Sequence, residues 1–321
     1  MDPLFINKEQ VASLLPMNEC IDVMEKMFHS LAGGECTQPL RSMMWLPGHT
    51  GLLGMMPGHA GSLGVMGIKV VSVFHGNRDA GLPSHLGVVI LFDAKHGQPL
   101  MIFDGAEITA IRTAAASALA TRLLSRENSA LLTVIGSGEQ AERHIEAISL
   151  VRNIKQINLW SRKGKNAMEL VNKMAGKNNI PVSIKKNAEE AVENADIICT
   201  VTSSSQPVVM GDWISGGAHI NAVGSCSPAT RELDTVAIVK TKLFTDCYES
   251  LFNEAGDFLI PKKEGAVTDS HVKGELGEVL TGTKKGREHD EEITLFKSLG
   301  IAAEDIFSAY HIYGKIKQEN F

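Results

Sequence analysis

The feature that most constrains the fold of this chain is an apolar segment that runs directly into a glycine turn. Residues 131–141 read LLTVIGSGEQA, which predicts a strand, a G-x-G-x-x-A turn and the start of a helix. The first glycine permits a tight turn, the second lets a pyrophosphate approach the backbone, and the small last residue keeps the helix close to the strand. The helix N-terminus adds free N–H groups and a partial positive charge. The residues of this predicted dinucleotide-binding turn are Gly136, Ser137, Gly138, Glu139, Gln140 and Ala141.

Strand and helix patterns alternate after this turn. Short apolar runs predict strands at residues 131–135, 157–160, 182–184, 197–201, 219–223 and 243–245, with helices between them. Such alternation is typical of a parallel sheet that helices cover on both faces. Before the turn, apolar runs between residues 41 and 103 predict a mixed or antiparallel sheet, and residues 108–124 and 306–316 predict helices. The predicted fold class is therefore α/β, with a Rossmann-type doubly wound parallel sheet and a second, α+β region.

The composition restricts the partners of the chain. Its 321 residues indicate two domains, and 44% hydrophobic with 21% charged residues is ordinary for a globular protein. The net charge of −6 argues against nucleic acid, because phosphate binding needs a basic face. No apolar run is long enough to span a bilayer, and the first residues do not resemble a signal peptide. The five cysteines include no C-x-x-C, so we expect a reduced, cytoplasmic protein without a metal site.

The end of the second predicted strand bears on the type of dinucleotide. An NAD site usually has an aspartate or glutamate here, which accepts hydrogen bonds from the ribose 2′-hydroxyl. This chain instead has Ser161, Arg162 and Lys163. A guanidinium matches the oxygens of a 2′-phosphate in bidentate fashion, and a second cation adds to the attraction. We therefore predict that NADP(H) is preferred over NAD(H), and that these three residues contact it.

Motifs spread over nearly the whole chain resemble those of the ornithine cyclodeaminase/mu-crystallin family. Besides the glycine turn, they are LGMMP at 53–57, GIK at 67–69, PSH at 83–85, DGAEITAIRTAA at 104–115, INAVGS at 220–225, GELGEV at 274–279 and GREHDEEITLFKSLG at 286–300. Their number and order make the resemblance more specific than any single motif.

This resemblance implies a discontinuous fold. Residues 1–114 and 301–321 would form a substrate-binding and dimerisation domain, into which a Rossmann domain of residues 115–300 is inserted. It also implies a homodimer that acts on a small imino or amino acid.

The resemblance further implies a set of site residues. Arg41, Lys69 and Arg112 would bind the α-carboxylate of the substrate, which must be held rigidly while its C2 faces the nicotinamide. Lys69 is predicted to lie mid-strand, where a lysine is costly unless paired, so a bound anion would complete it. Arg112 would serve the substrate or, with Thr113, the cofactor pyrophosphate. Further cofactor contacts are implied for Ser84, His85, Thr202, Val223, Ser225, Ser298 and Gly300.

Two departures from the family's cyclodeaminases bear on the reaction. Those enzymes carry a glutamate for the distal amine where this chain has Gly54, and an acid–base aspartate where it has Cys226. Without these two carboxylates the site lacks the groups that would bind a second amine of the substrate and transfer its proton. Ornithine cyclisation is therefore less favoured. Gly54 and Ser225 instead resemble the ketimine reductases of the family.

The leading hypothesis is therefore an NAD(P)H-dependent reductase of cyclic α-imino acids, which converts Δ1-pyrroline-2-carboxylate or Δ1-piperideine-2-carboxylate to proline or pipecolate. The cofactor carries the hydride chemistry, and the protein orients the substrate. Lys69 is the candidate catalytic residue, as the proton source for the nitrogen, with bound water as the alternative. Two other functions stay open: an alanine-dehydrogenase-like reductive amination of a 2-oxo acid, and a non-enzymatic, mu-crystallin-like binding protein.

Overall fold

The computed structural model describes residues 3–74, 76–77, 81–176 and 179–319. The chain forms two compact units. Unit 1 comprises Met1–Arg112 and Gly300–Phe321, and unit 2 comprises Thr113–Leu299. The last segment of the chain therefore belongs to the same unit as the first.

The described part of the chain contains eleven α-helices. In chain order they are α1 (Lys8–Leu14), α2 (Met17–Ala32), α3 (Gly105–Leu124), α4 (Glu139–Val151), α5 (Gly164–Met174), α6 (Ala188–Val192), α7 (Thr235–Lys240), α8 (Tyr248–Glu254), α9 (Gly256–Lys263), α10 (Leu276–Leu280) and α11 (Ala302–Glu319). None of the described helices combines the length and apolar character that crossing a membrane requires.

Unit 1 contains a mixed sheet of seven strands. They are β1 (Leu4–Ile6), β2 (Cys36–Thr37), β3 (Ser42–Trp45), β4 (Leu52–Ala60), β5 (Val65–Val73), β6 (His85–Asp93) and β7 (Pro99–Asp104). The order is β1-β7-β6-β5-β4-β2, with β3 paired to β4. β1 and β7 are parallel and the other neighbours are antiparallel, which confirms the predicted mixed sheet.

The two faces of this sheet differ, because successive residues of a strand point to opposite sides. Along β5 the buried residues Val65, Gly67 and Lys69 share the face on which α11 packs, and Gly67 lies against Ile306 of that helix. The opposite face is apolar but only half-buried. Its side chains on the three central strands include Met55, Ile68, Val70, Val88 and Ile90.

Unit 2 contains a sheet of eight strands, all parallel. They are β8 (Leu131–Ile135), β9 (Gln156–Trp160), β10 (Val182–Ile184), β11 (Ile197–Thr200), β12 (His219–Ala222), β13 (Lys242–Thr245), β14 (Val272–Glu275) and β15 (Thr294–Lys297). The order is β10-β9-β8-β11-β12-β15-β13-β14. The predicted α/β class with a Rossmann-type sheet is confirmed, although the sequence did not predict β14 and β15.

The strands of unit 2 are apolar because helices cover the sheet and leave its central strands little contact with water. Fully buried core residues come from six of the eight strands, including Ile157 and Leu159 of β9. They include Ile135, Ile198, Ile220, Leu243 and Leu295. The sheet is thus a rigid platform, and the loops at its carboxyl edge are the part of unit 2 that can contact a ligand.

Candidate active site

The glycine turn of unit 2 joins β8 to α4, as predicted. Gly136 has a φ of +130°, a backbone conformation that disfavours other residues. A Cβ at this position would lie 2.8 Å from the carbonyl oxygen of Val201, in the loop that follows β11. Glycine at this position therefore lets the turn and that loop approach closely.

The N-terminus of α4 leaves space for a phosphate beside its first backbone N–H groups. Gly138 is the N-cap residue and has no side chain to cap the helix. Among the described residues, no heavy atom outside the immediate chain lies within 4 Å of the place its Cβ would take. Ala141 is fully buried, so the first turn of the helix lies close to the sheet. A pyrophosphate fits this space, where the helix N–H groups favour negative charge.

The end of β9 lies beside this turn. The hydroxyl of Ser137, the middle residue of the turn, donates a hydrogen bond to the hydroxyl of Ser161 at 2.8 Å. Arg162 and Lys163 follow directly and are exposed. The predicted cations are therefore accessible to a phosphate on the ribose of a bound nucleotide.

Four more of the predicted cofactor residues follow parallel strands of the same sheet. Thr202 comes after β11, Val223 and Ser225 come after β12, and Ser298 comes after β15. Because β8, β11, β12 and β15 are consecutive neighbours, these residues lie at one carboxyl edge. The strand order reverses between β8 and β11, and dinucleotides bind outside the carboxyl ends at such a point. This edge fits a dinucleotide.

The predicted substrate cations lie in unit 1. Lys69 is on the buried face of β5, and its side chain is only 4% exposed. Its Nζ lies 2.7 Å from Oδ2 of Asp305, in the first turn of α11, and donates to Oγ1 of Thr109 at 3.4 Å. The buried lysine is thus paired with a carboxylate of the protein itself, so the expectation that a bound anion completes its charge was wrong.

Arg112 shares the same carboxylate. Its Nε donates to Oδ1 of Asp305 at 3.0 Å, and its Nη1 donates to Glu304. Arg41 donates from Nη2 to the carbonyl oxygen of Gly300 at 2.9 Å. Gly300 is the predicted cofactor residue that lies beside the Arg112 guanidinium. We call Arg41, Lys69 and Arg112 the cation cluster.

The electrostatics of the cation cluster suit an anionic ligand. Lys69 and Arg112 pair with the carboxylates of Glu304 and Asp305, and Arg41 adds a third positive charge. Burial, reinforced by the neighbouring Arg112 cation, lowers the pKa of Lys69 to about 8, although Asp305 acts in the opposite direction. A lysine with this pKa can both bind an anion and release a proton near neutral pH.

Sequence reasoning missed Glu304 and Asp305. Both are almost fully buried, at 0% and 1% exposure. Their spacing from the buried Ser308, Ala309 and Ile312 places them on the core face of α11. Acidic residues at core positions of an amphipathic helix are the pattern that would have indicated them.

The remaining predicted residues lie elsewhere. Ser84 and His85 stand at the exposed start of β6 in unit 1, with Oγ and Nδ1 3.0 Å apart. Thr113 is buried in α3, at the first position of unit 2. Within the part of the chain that the structure describes, no group of three or more metal-ligating side chains is placed to hold a metal ion.

Comparisons with known proteins find relatives along the whole chain. The model of the ornithine cyclodeaminase/mu-crystallin family matches residues 1–320. The Delta(1)-pyrroline-2-carboxylate reductase of Bacillus cereus is 35% identical over 317 residues, which cover 98% of this chain and 97% of that protein.

Two solved structures are also similar. One is the Thermococcus litoralis Delta(1)-pyrroline-2-carboxylate reductase in complex with NADH and L-proline, with a TM-score of 0.96, 39% identity and coverage of 99% of this chain and 98% of that chain. The other is an archaeal alanine dehydrogenase dimer with bound NAD, with a TM-score of 0.94, 33% identity and coverage of 100% and 98%.

Proposed function

We propose that this chain, which belongs to the ornithine cyclodeaminase/mu-crystallin family, is an NAD(P)H-dependent reductase of cyclic α-imino acids. Its substrates are Δ1-pyrroline-2-carboxylate, Δ1-piperideine-2-carboxylate or both. The observation that carries the proposal is the cation cluster, in which Lys69 and Arg112 are buried and Arg41 is half-buried, because an α-carboxylate is the group that such a cluster binds best. The similarity to the two pyrroline-2-carboxylate reductases supports it.

In this proposal the cation cluster binds the carboxylate and fixes the orientation of C2. A bound nicotinamide supplies the hydride that C2 accepts. Lys69 supplies a proton to the ring nitrogen, with bound water as the alternative donor. Hydride and proton together convert the C=N bond to CH–NH, and the protein's part is orientation, charge and proton supply.

The two units divide this work. Unit 1 is the substrate-binding and dimerisation domain, with Ser84 and His85 contributing to the cofactor. Unit 2 is the cofactor domain, in which the glycine turn holds the pyrophosphate and Thr202, Val223, Ser225 and Ser298 contact the cofactor further along the edge. Arg112 serves the substrate or, with Thr113, the pyrophosphate.

A second candidate is the reductive amination of a 2-oxo acid. The similarity to the archaeal alanine dehydrogenase favours it. A 2-oxo acid presents the same α-carboxylate to the cation cluster, but the reaction also consumes ammonia.

The first prediction tests this choice. With NADPH, the protein should oxidise the cofactor rapidly when Δ1-pyrroline-2-carboxylate or Δ1-piperideine-2-carboxylate is added, and much more slowly with pyruvate and ammonium. Absorbance at 340 nm measures all three reactions in parallel. A higher kcat/KM with pyruvate and ammonium would favour the second candidate, and binding of NADPH without any turnover would contradict both.

The second prediction concerns Lys69. Lys69→Ala should lower kcat/KM for the imino acid about a hundredfold or more, because a charge-assisted contact to the carboxylate is lost. The affinity for NADPH should stay the same, since the glycine turn lies in unit 2. Lys95→Ala, which removes an exposed lysine of unit 1, is the matched control and should change nothing.

The pH dependence of the activity distinguishes two roles of Lys69, binding of the substrate carboxylate and donation of a proton to the nitrogen. Activity should be present below pH 8 and fall as the pH rises through about 8, because the ammonium of Lys69 then loses its proton. Lys69→Arg keeps the charge at every pH but cannot release a proton. It should bind the substrate without this pH dependence and with low kcat. Full activity of Lys69→Arg would assign the proton to water, and full activity of Lys69→Ala would refute the substrate site.

The third prediction tests the preference for NADP(H). Arg162→Ala should weaken NADPH more than NADH by about 1.5–3 kcal/mol, because a charged hydrogen bond to the 2′-phosphate is lost. Fluorescence titration gives both dissociation constants. Lys155→Ala, an exposed lysine immediately before β9, should leave both unchanged. An equal loss of affinity for NADPH and NADH in Arg162→Ala would contradict the assignment.

The fourth prediction is a homodimer formed through the half-buried apolar face of the sheet in unit 1. An uncovered apolar sheet face is a typical protein–protein interface. Light scattering at micromolar concentration should give the mass of two chains. Ile68→Glu should shift the mass to one chain, whereas Met168→Glu, at an exposed position of α5, should not. A monomeric wild-type protein would overturn this proposal.

A further inference from the structure

Besides Asp246, which follows β13, three buried charged side chains lie at the carboxyl edge of the sheet in unit 2, and the function proposed above uses none of them. They are Glu232, Asp257 and Lys297, each at 0% exposure. Burying a charge is costly unless it is paired and hydrogen-bonded. Each of these groups therefore needs partners that offset this cost.

Glu232 joins the segments that follow two neighbouring strands. Its Oε1 accepts from the backbone N–H of Thr202 at 2.6 Å, beyond the end of β11. Its Oε2 accepts from the backbone N–H of Gly224 at 2.7 Å, beyond the end of β12, and from Oγ1 of Thr200 at 2.8 Å. One carboxylate thus binds both segments at once.

These two segments are in direct contact. A Cβ on Gly224 would overlap the backbone of Thr202 and approach the carboxylate of Glu232. The spacing between the segments is therefore narrow, and the carboxylate maintains it together with the backbone hydrogen bonds from Val223 and Gly224 to the carbonyl oxygen of Thr200.

Asp257 and Lys297 connect Glu232 to a third segment. Oδ1 of Asp257 accepts from the backbone N–H groups of Glu232 and Leu233 at 2.8 and 3.0 Å. Its Oδ2 lies 3.0 Å from Nζ of Lys297, the last residue of β15, which also donates to the carbonyl oxygen of Ala222 at 3.2 Å. The ends of β11, β12 and β15 are therefore joined through buried charges.

The position of this network in the sheet indicates which part of a dinucleotide it affects. The glycine turn follows β8, and the residues assigned to the ribose phosphate follow β9. The strands β11, β12 and β15 lie on the other side of β8. In a doubly wound sheet the two halves of the dinucleotide bind on opposite sides of the switch point. The network therefore lies on the side of the nicotinamide half.

We propose that Glu232 is a positioning residue for the nicotinamide end of the cofactor. Its carboxylate holds Thr202 and Gly224 at the spacing that the nicotinamide half requires, while Asp257 and Lys297 hold Glu232. This inference rests on the proposed cofactor site but not on the identity of the imino acid.

The test is Glu232→Gln in the full-length protein. The amide keeps the size of the side chain but replaces one oxygen with an NH₂ group. Either the N–H of Thr202 or that of Gly224 then faces a donor, which pushes the segments apart. The affinity for NADPH should fall about tenfold or more, whereas that for 2′-phospho-ADP-ribose, which lacks the nicotinamide, should change less than about twofold. Isothermal titration calorimetry measures both.

The matched control is Asp196→Asn. Asp196 also accepts two backbone hydrogen bonds in unit 2, from Ala130 and Leu131 at 2.8 and 2.9 Å, but it precedes β11 and so lies at the amino edge of the sheet. Asp196, which is 21% exposed and also pairs with Arg126, tests the loss of a carboxylate that binds the backbone at the other edge of the sheet. Asp196→Asn should leave the affinities for both ligands unchanged.

A milder variant keeps the proposal testable if Glu232→Gln does not fold. Thr200→Val removes only the hydroxyl that donates to Glu232. It should weaken NADPH relative to 2′-phospho-ADP-ribose by about threefold in the ratio of their dissociation constants. An equal loss of both affinities, or no change in their ratio in either folded variant, would overturn the inference.

A wild-type protein that binds NADPH but reduces no imino acid would instead refute the proposed function and leave this binding test valid.

Discussion

Unit 1 depends on one buried carboxylate. Asp305 pairs with Lys69 and with Arg112, and all three side chains are almost entirely removed from water. Without a partner, each cation would cost several kcal/mol to bury, and loss of the carboxylate alone would cost about 3–5 kcal/mol. The sheet and α11 can pack together with these cations inside because α11 brings the opposite charge. The discontinuous chain of unit 1 and the proposed substrate site thus depend on the same ion pairs.

Buried carboxylates also stabilise unit 2, in the loops at the carboxyl edge of its sheet. Backbone groups within a parallel sheet are satisfied by neighbouring strands, but those just beyond the strand ends are not. Glu232 accepts from two such N–H groups, and Asp257 accepts from two N–H groups of the segment between β12 and α7. Loops that contact a ligand need a fixed conformation, but they lack the backbone hydrogen bonds of a β-ladder. Buried carboxylates that accept from their N–H groups fix this conformation. In both units, buried charge is therefore concentrated where we expect ligands to bind.

Local sequence patterns predicted most of the fold. Residues 131–135 and 182–184 are strands as predicted, because apolar runs next to turns have few alternatives. β14 reads VKGE and presents no apolar run, so its strand conformation comes from pairing with β13. β15 reads TLFK and carries the same Leu-Phe pair as the predicted β13, so its apolar signal was present but short. The core position of Asp305 is readable from the pattern of α11, but its partners and those of Glu232 are not. Their roles arise from partners that only the folded chain brings near.

Under the proposed function, the substrate preference of unit 1 depends on a residue that is small rather than charged. Gly54 lies on the face of β4 that also carries Met56, and Met56 is the cross-strand partner of Lys69. A glutamate at this position, as in the family's cyclodeaminases, would add a carboxylate to the face on which Lys69 lies, where a second amine of the substrate could pair with it. A Cβ at Gly54 would already lie 3.3 Å from the side chain of Val71, so a larger residue would require that valine to move. A cyclic imino acid has one nitrogen and no distal amine, so it needs the cations of this face and no further carboxylate.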